Sequence, residues 1–182
     1  EALRAKFEAA GLNLRVGVVT GDDLISMQPE LQTSREMFSG AAMPSRLMSL
    51  NAYLGAAPIA AALDAGADIV VTGRCVDSAT VLGACTHAFG WSMSDFDSLS
   101  GGSLAGHIIE CGAQATGGLF TDWQDVGDWA NIGYPIAVID ADGAFDVIKP
   151  QGTGGLVSRG TVSEQLVYEI GDPAAYLLPD VS

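Results

Sequence analysis

The sequence predicts an α/β fold in which a partly parallel sheet is flanked by helices, with an antiparallel hairpin near residues 135–149. The first observation behind this prediction is a repeat: a helical segment, a glycine, a β-branched run and a second glycine occur in that order at residues 2–21 and again at 50–73. The second observation is an Asp-Gly pair between two apolar runs, which is typical of a hairpin. Two repeats of the first kind favour parallel strands joined by crossover helices.

The first repeat begins with apolar side chains at helical spacing, Leu3, Phe7 and Ala10, and Gly11 is typical of a helix end. These residues predict a helix over 2–10. A short β-branched run predicts a strand over 14–20. Prolines and glycines interrupt every period between residues 23 and 49, so we expect a loop with short helices there.

The second repeat begins with an Ala- and Leu-rich helix predicted over 50–65, in which Pro58 either kinks the helix or begins a second one. Gly66 ends this helix, and a strand follows over 67–73. Further apolar stretches predict helices over about 78–89 and 96–111, before a glycine-rich turn at 112–118.

The last third of the chain has a different pattern from the α/β repeats before it. Apolar runs at 135–140 and 144–149 flank Asp142-Gly143 and predict the hairpin. Thr161-Val-Ser-Glu164 has the pattern of a capping box, which predicts a helix from there to about Ile170, ended by Gly171.

Composition limits the class of protein. The chain has 182 residues with 48% hydrophobic and 16% charged residues, which fits one folded domain and excludes disorder. Eight Lys and Arg against 22 Asp and Glu give a net charge of -14, so we expect neither nucleic acid nor a membrane as a partner. Three cysteines without CxxC pairing favour reduced thiols in a cytoplasmic protein. Glu1 falls inside a helical pattern, and the last residues, 176–182, have no terminating feature. We therefore expect residues 1–182 to be a single α/β domain truncated at both ends.

A first candidate site lies at the carboxyl end of the second predicted strand, the edge where open α/β sheets bind ligands. Arg74 is a substrate-binding candidate there, because its guanidinium can grip a carboxylate or a phosphate with two hydrogen bonds. Asp77 is a catalytic candidate as a proton acceptor. The alternative is a structural Arg74–Asp77 pair that caps the following helix.

A second candidate site is the sequence His107-Ile-Ile-Glu-Cys111. Glu110 and Cys111 are catalytic candidates, since a carboxylate beside a thiol can provide a general base next to a nucleophile. The alternative is a buried cysteine beside a glutamate that pairs with an arginine. His107 alone is more typical of a hydrogen-bonded core or surface histidine.

Two Thr-Gly-Gly turns are the third candidate, because glycines let several backbone N–H groups point at one anion. The alternative is that both are tight turns, and that Lys149 is a solvated residue at the hairpin end. The sequence contains no motif for nucleotide phosphates, which weakens the interpretation as a sugar- or nucleotide-phosphate binder. It contains no metal-binding motif either, so we predict no metal site, and the sequence does not indicate a cofactor. The substrate-binding candidates of this group are Gln114, Thr116, Gly117, Gly118, Lys149, Thr153, Gly154 and Gly155.

Several longer motifs, in one order, carry a family resemblance. They are Asn51-Ala-Tyr-Leu-Gly-Ala-Ala-Pro-Ile, Ala67-Asp-Ile-Val-Val-Thr-Gly-Arg74, Gly106-His-Ile-Ile-Glu-Cys-Gly-Ala-Gln-Ala-Thr-Gly-Gly118, Gly133-Tyr-Pro-Ile136, Lys149-Pro-Gln-Gly-Thr-Gly-Gly155 and residues 161–173. Together they cover nearly the whole chain, which resembles the acyclic terpene utilisation AtuA family. Cys111 lies inside one of these motifs, whereas Cys75 does not belong to the shared pattern around Arg74.

The resemblance implies a cytoplasmic protein of bacterial acyclic terpene catabolism, of the citronellol and geraniol type, which proceeds through CoA thioesters and geranyl-CoA carboxylase. We interpret the chain as an enzyme or catalytic subunit that acts on a branched acyl-CoA or carboxylate as its small-molecule substrate. The alternative is a non-catalytic scaffold or accessory subunit of such an enzyme. A homo-oligomer or a small partner subunit is compatible with both interpretations.

Overall fold

A computed structural model describes residues 1–181, in which six α-helices are combined with two small sheets. In chain order the elements are α1 (Ala2–Ala9), β1 (Val16–Val19), α2 (Gln28–Leu31), α3 (Ala57–Asp64), β2 (Ile69–Thr72), α4 (Ala79–Phe89), α5 (Phe96–Glu110), β3 (Ile136–Ile139), β4 (Phe145–Ile148) and α6 (Arg159–Val167). Short 3-10 turns connect several of them. The α/β class is confirmed.

The predicted parallel pairing is confirmed for β1 and β2. Val16 is opposite Ile69, and Val19 is opposite Thr72. Helix α3 lies between the two strands along the chain and packs against both. Because the strands are parallel, their carboxyl ends lie at the same edge, and the loops that follow them are neighbours.

The core lies between α3, α4 and α5. Leu82 and Leu99 are fully buried, and Ile59 and Trp91 pack in the same cluster. The indole N–H of Trp91 donates a hydrogen bond to the carbonyl oxygen of Ala141 at 2.7 Å. This bond attaches the hairpin turn to the helical core.

The antiparallel hairpin is also confirmed, as a sheet separate from the parallel pair. Ile136 is opposite Ile148, and Ile139 is opposite Phe145. Gly143 has a φ of 87°, which glycine adopts without strain, as expected for an Asp-Gly turn.

The helix predicted over residues 50–65 is wrong over its first seven residues, 50–56. Helix α3 begins only at Ala57, with Pro58 in its first turn, where a residue without an N–H leaves no hydrogen bond unmade. The preceding residues are extended because their backbone groups pair with the loops after the two parallel strands. The N–H of Ala52 donates to the backbone carbonyl oxygen of Asp22, and the N–H of Leu54 donates to the backbone carbonyl oxygen of Arg74. The sequence pattern did not distinguish this pairing from helix.

The position of the capping box was wrong by one helical turn. Helix α6 begins at Arg159, and its box is formed by Ser158 at the cap and Thr161 three residues later. The Ser158 hydroxyl accepts from the Thr161 N–H at 3.1 Å, and the Thr161 hydroxyl accepts from the Ser158 N–H at 3.0 Å. The helix ends at Val167 rather than near Ile170.

Within residues 1–181, no helix combines the length and the apolar composition that crossing a membrane requires.

Candidate functional site

The carboxyl ends of β1 and β2 are tied together by Asp22. One oxygen of its carboxylate accepts from the backbone N–H of Arg74 at 2.9 Å and from the amide of Asn51 at 3.0 Å. The hydrogen bond from the Arg74 N–H is the main cause that lowers the pKa of Asp22. A Cβ atom on Gly73 would collide with this carboxylate and displace it, so the glycine lets Asp22 keep its hydrogen bonds to Arg74 and Asn51.

The same arrangement presents the side chain of Arg74 next to Tyr53. The centre of the guanidinium lies 5.4 Å from the centroid of the Tyr53 ring, within reach of a cation–π contact. In the part of the chain that the structure describes, no carboxylate pairs with this guanidinium. The structural Arg74–Asp77 pair considered from the sequence is therefore not formed, and the guanidinium is available to an anion.

A cavity of about 240 Å³ lies beside Arg74 and brings three of the predicted residues together, Arg74, Asp77 and Glu110. Its wall comes from the strand-end loops, from α5 and from the segment that follows α6. The residues that line it are Tyr53, Arg74, Cys75, Val76, Asp77, Ser78, His107, Glu110, Glu169, Tyr176, Leu177 and Leu178.

His107 and Glu110 form a close pair in this cavity. They lie three residues apart on α5, so that they share one face of the helix. The Nδ1 atom of His107 is 3.3 Å from Oε1 of Glu110, and the two side chains are 7% and 14% exposed. The pair can hold one proton between the imidazole and the carboxylate.

The other ring nitrogen fixes the protonation of His107. Its Nε2 atom lies 3.0 Å from the carbonyl oxygen of Gln165 and 3.2 Å from that of Leu166. Because carbonyl oxygens only accept, Nε2 carries a proton and Nδ1 faces Glu110. Gln165, fully buried on α6, donates in return from its amide to the carbonyl oxygen of His107 at 3.0 Å.

The electrostatic environment favours the protonated form of Glu110. Burial raises the pKa of this carboxyl group, the nearby His107 opposes the rise, and the negative charges of Asp77 and Glu169 add to it. A carboxyl group with a raised pKa is suited to give and take protons near neutral pH. Glu169 has a φ of 60°, an unusual backbone conformation for a residue with a side chain, and it lines the same cavity.

A second cavity, of about 210 Å³, shares Ser78, His107, Tyr176 and Leu178 with the first. The remaining lining is mostly apolar and comes from α5 and from the segment after α6. It consists of Ser100, Ser103, Leu104, Ile170, Pro173 and Val181.

The segment that follows α6 forms part of the wall of both cavities. Tyr176 and Leu178 line both of them, and the Tyr176 ring lies edge-on to His107 with 6.3 Å between centroids. Asp180 fixes this segment to the body of the protein, because its carboxylate accepts from the backbone N–H of Ala56, just before α3, at 2.8 Å.

Cys111, the predicted nucleophile, follows Glu110 directly but does not line either cavity. Burial raises the pKa of its thiol, and the charges of Glu110, Glu169 and Asp77 add to the rise. A raised pKa keeps the sulfur protonated, which makes it less reactive.

The two Thr-Gly-Gly turns lie against each other, away from the cavities. The N–H of Leu156 donates to the carbonyl oxygen of Thr116 at 2.8 Å, and the buried Thr116 hydroxyl donates to that of Gly133. The backbone N–H groups of Gly117 and Gly118, and of Gly154 and Gly155, all donate to backbone carbonyl oxygens. This geometry favours the packing alternative.

Lys149 and Gln114 belong to the same packed region. The ammonium group of Lys149 donates to the carbonyl oxygen of Thr153 at 2.8 Å, and the Thr153 hydroxyl donates to that of Pro150 at 2.7 Å. Gln114 lies in the 3-10 turn after α5, with its side-chain oxygen buried. None of these residues lines the cavities beside Arg74.

Over residues 1–181 there is no group of three or more His, Cys, Asp or Glu side chains that could hold a metal ion.

Sequence reasoning missed His107, Glu169, Tyr53 and Tyr176. The signal for His107 was its spacing of three residues from Glu110 on a predicted helix, which places both on one face. No local pattern indicates Glu169 or Tyr176, because they reach the site only through the return of the chain after α6.

A family model described as acyclic terpene utilisation family protein AtuA matches residues 1–182. Neither the curated proteins nor the solved structures include a match to this chain.

Proposed function

The chain belongs to the acyclic terpene utilisation family AtuA and is involved in the utilisation of acyclic terpenes; from this premise we propose that its paired cavities bind a branched acyclic acyl group, as a carboxylate or a CoA thioester. In this proposal Arg74 holds the carboxyl or thioester oxygen, and Glu110 with His107 transfers a proton. The observation that carries the proposal is one cavity that combines a free guanidinium with a Glu–His pair, next to an apolar cavity.

The head group is assigned to the first cavity because of Arg74. A guanidinium without a carboxylate partner, 5.4 Å from the centroid of the Tyr53 ring, is able to make two parallel hydrogen bonds to a carboxylate. Few other positive charges are available, since the chain has eight Lys and Arg. The net charge of -14 otherwise repels an anionic ligand, so the local positive charge of Arg74 is decisive.

The apolar tail is assigned to the second cavity. Its apolar lining suits a branched hydrocarbon chain. The apolar residues are Leu104, Ile170, Pro173, Leu178 and Val181. The cavity adjoins the first one at His107, so a head group beside Arg74 and a tail among these side chains belong to one continuous ligand. The two volumes together reach the lower part of the usual range for ligand sites, about 300–1,000 Å³.

Glu110 is assigned the proton transfer because of its raised pKa and its contact with His107. The proton acted upon is on the carbon next to the carbonyl, in an acyl thioester whose carbon at that position is saturated. Glu110 in its ionised form takes this proton, the electron pair of the C–H bond passes into an enolate, and the reverse step returns a proton to the same carbon. Arg74 stabilises the charge that develops on the enolate oxygen.

Calorimetric titration with geranate, citronellate and their CoA thioesters tests the binding. We expect saturable binding of the acids, of the thioesters or of both, which distinguishes the two forms of head group. Arg74→Ala is expected to weaken binding about tenfold, the lower end for a charge-assisted contact because the guanidinium is exposed. Arg46→Ala, which removes the same charge from an exposed loop, is the matched control and should bind normally.

Deuterium incorporation tests the chemical step. After incubation in D₂O with the CoA thioester of citronellate, whose carbon next to the carbonyl is saturated, we expect deuterium on that carbon, detected by mass spectrometry, and its loss in Glu110→Gln. Glu8→Gln on the exposed α1 is the control. Binding without exchange would reject the proton-transfer role, whereas the absence of saturable binding would reject the proposal as a whole and favour a non-catalytic scaffold.

A further inference from the structure

A third cavity, of about 430 Å³, adjoins the first one and has no part in the proposed function so far. It shares Glu169, Tyr176 and Leu177 with the first cavity, but only Tyr176 with the second. The first cavity therefore has a different neighbour on each of two sides. A free acid with its head group beside Arg74 and its chain in the second cavity leaves the third cavity empty, whereas a ligand with a second arm can fill it.

The lining of the third cavity combines accessible apolar side chains with hydrogen-bond acceptors. Met37 and Phe38 are 65% and 83% exposed, so a ligand can reach their apolar surfaces. The charged groups of the cavity are the carboxylates of Glu169 and Asp172, and no Lys or Arg of the described chain lines it. Such a lining repels phosphate and carboxylate groups, but it can accept hydrogen bonds from amide N–H and hydroxyl groups.

The charges of the first cavity disfavour a free carboxylate as the head group. Arg74 is its one cationic Lys or Arg side chain among residues 1–181, whereas Asp77, Glu110 and Glu169 all line it. Neither Asp77 nor Glu169 forms a salt bridge within the same residues. A carboxylate would be attracted by Arg74 and repelled by these acidic groups. The carbonyl oxygen of a thioester is uncharged and can still accept a hydrogen bond from the guanidinium.

We infer that the ligand is a thioester rather than a free acid, and that the third cavity binds the pantetheine arm of its coenzyme A. This inference rests on the proposed function and selects one of its two head groups. The amide N–H and hydroxyl groups of the arm can donate to Glu169 and Asp172, and its hydrocarbon groups suit Met37 and Phe38. The acyl chain keeps its place in the second cavity.

The test is calorimetric titration with three ligands that share one acyl group: citronellate, its S-methyl thioester and its S-pantetheine thioester. The methyl thioester removes the charge of the head group, and the pantetheine thioester adds the arm without the phosphates of coenzyme A. We expect the wild-type chain to bind the methyl thioester roughly fivefold more tightly than citronellate, because the repulsion is absent. The arm should add roughly another fivefold through the apolar surface that it buries.

Phe38→Ala is expected to weaken the binding of the pantetheine thioester about threefold and to leave the methyl thioester unaffected. Phe96→Ala, which removes an exposed ring that lines none of the three cavities, is the matched control and should change neither affinity.

Glu169→Gln is expected to strengthen the binding of citronellate, because it removes one of the repelling charges, and to leave the methyl thioester nearly unchanged. Glu8→Gln on the exposed α1 removes the same charge far along the chain and should alter neither.

Citronellate binding as tight as that of the methyl thioester, or equal binding of the two thioesters by the wild-type chain, would overturn the inference and leave the proposed function standing. A Phe38→Ala variant that binds the pantetheine thioester as tightly as the wild-type chain does would also overturn it. If none of the three ligands bound, both the inference and the proposed function would be overturned.

Discussion

Glu110 and His107 owe their properties to what surrounds them rather than to the pair alone. On an exposed helix, a glutamate three residues after a histidine would be an ordinary surface contact of small energy. Here the pair is largely buried, the Nε2 side of the ring is taken by two carbonyl oxygens of α6, and two further carboxylates face the same cavity. The raised pKa of Glu110 follows from this confinement.

The raised pKa of Glu110 makes the stability of the protein depend on pH in a defined direction. The folded state binds the Glu110 proton more tightly than the unfolded chain does. Its contribution to stability is therefore fully present below the ordinary pKa of 4.5 and is lost as the pH rises through the folded-state value. Glu110→Gln resembles the protonated carboxyl group and should avoid this loss. We expect the difference in Tm between Glu110→Gln and wild type to grow in favour of the variant from acidic to alkaline pH.

Thermal unfolding followed by circular dichroism over this pH range measures the difference. Glu30→Gln, on an exposed part of α2, is the control and should show a difference that hardly changes with pH. A Tm difference for Glu110→Gln that stays constant, or that shrinks at alkaline pH, would contradict the prediction.

Helix α5 carries the site and depends on close approach to its neighbours. A Cβ atom on Gly106 would lie 2.8 Å from both the Cα and the carbonyl oxygen of Ser78, and one on Gly102 would lie 2.8 Å from the side chains of Leu82 and Trp91. Backbone atoms such as those of Ser78 cannot turn aside as the end of a flexible side chain can. The absence of side chains here lets α5 lie directly against the start of α4, which brings His107 next to the residues after β2.

Gly106→Ala is therefore expected to destabilise the protein, although alanine is the better helix former. The helix preference favours alanine by about 1 kcal/mol, whereas overpacking against fixed atoms costs about 1–3 kcal/mol and here involves backbone. We expect a net loss in the free energy of unfolding, measured by urea denaturation. Gly127→Ala, where a Cβ would meet nothing within 4 Å, is the control. An unchanged or higher stability of Gly106→Ala would show that α5 can move away from α4 at no cost.

At the level of elements, sequence patterns predicted types better than boundaries. The sequence predicted both strands of the parallel pair, the hairpin, and helices α4 and α5. These elements could be predicted because apolar periodicity and the positions of glycines are read from neighbouring residues in the chain. The beginning of α3 was not, since whether residues 51–54 are extended depends on strand ends far along the chain. The capping box of α6 was misplaced because Ser158 and Thr161 both have suitable hydroxyls, and only the backbone geometry decides which one caps.

The molecule as a whole carries an excess of negative charge. With a net charge of -14, the folded state brings together carboxylates that the unfolded chain keeps farther apart. Raising the ionic strength from about 0.01 M to about 0.15 M shortens the screening length from about 30 Å to about 8 Å. We expect Tm to rise over this change at neutral pH, because the repulsion between surface carboxylates is screened.

Calorimetry at the two ionic strengths measures the effect. Repeating it at a pH close to the ordinary pKa values of Asp and Glu provides the control, since partial protonation lowers the charge and should make the gain in Tm smaller. An equal gain at both pH values would mean that the salt acts other than by screening charge.

The sequence by itself determined the α/β class, the parallel pair, the hairpin, the family resemblance and the placement of Arg74 at a strand end, because each depends on short-range patterns. It named Arg74, Asp77 and Glu110 but grouped them with the Thr-Gly-Gly turns, whose N–H groups the fold uses for its own backbone. Only the tertiary structure decided that His107 completes the Glu110 pair and that the segment carrying Glu169 and Tyr176 covers the site. The physical reason is that burial, the raised pKa of Glu110 and the cavity depend on segments distant along the chain, and no local pattern encodes such proximity.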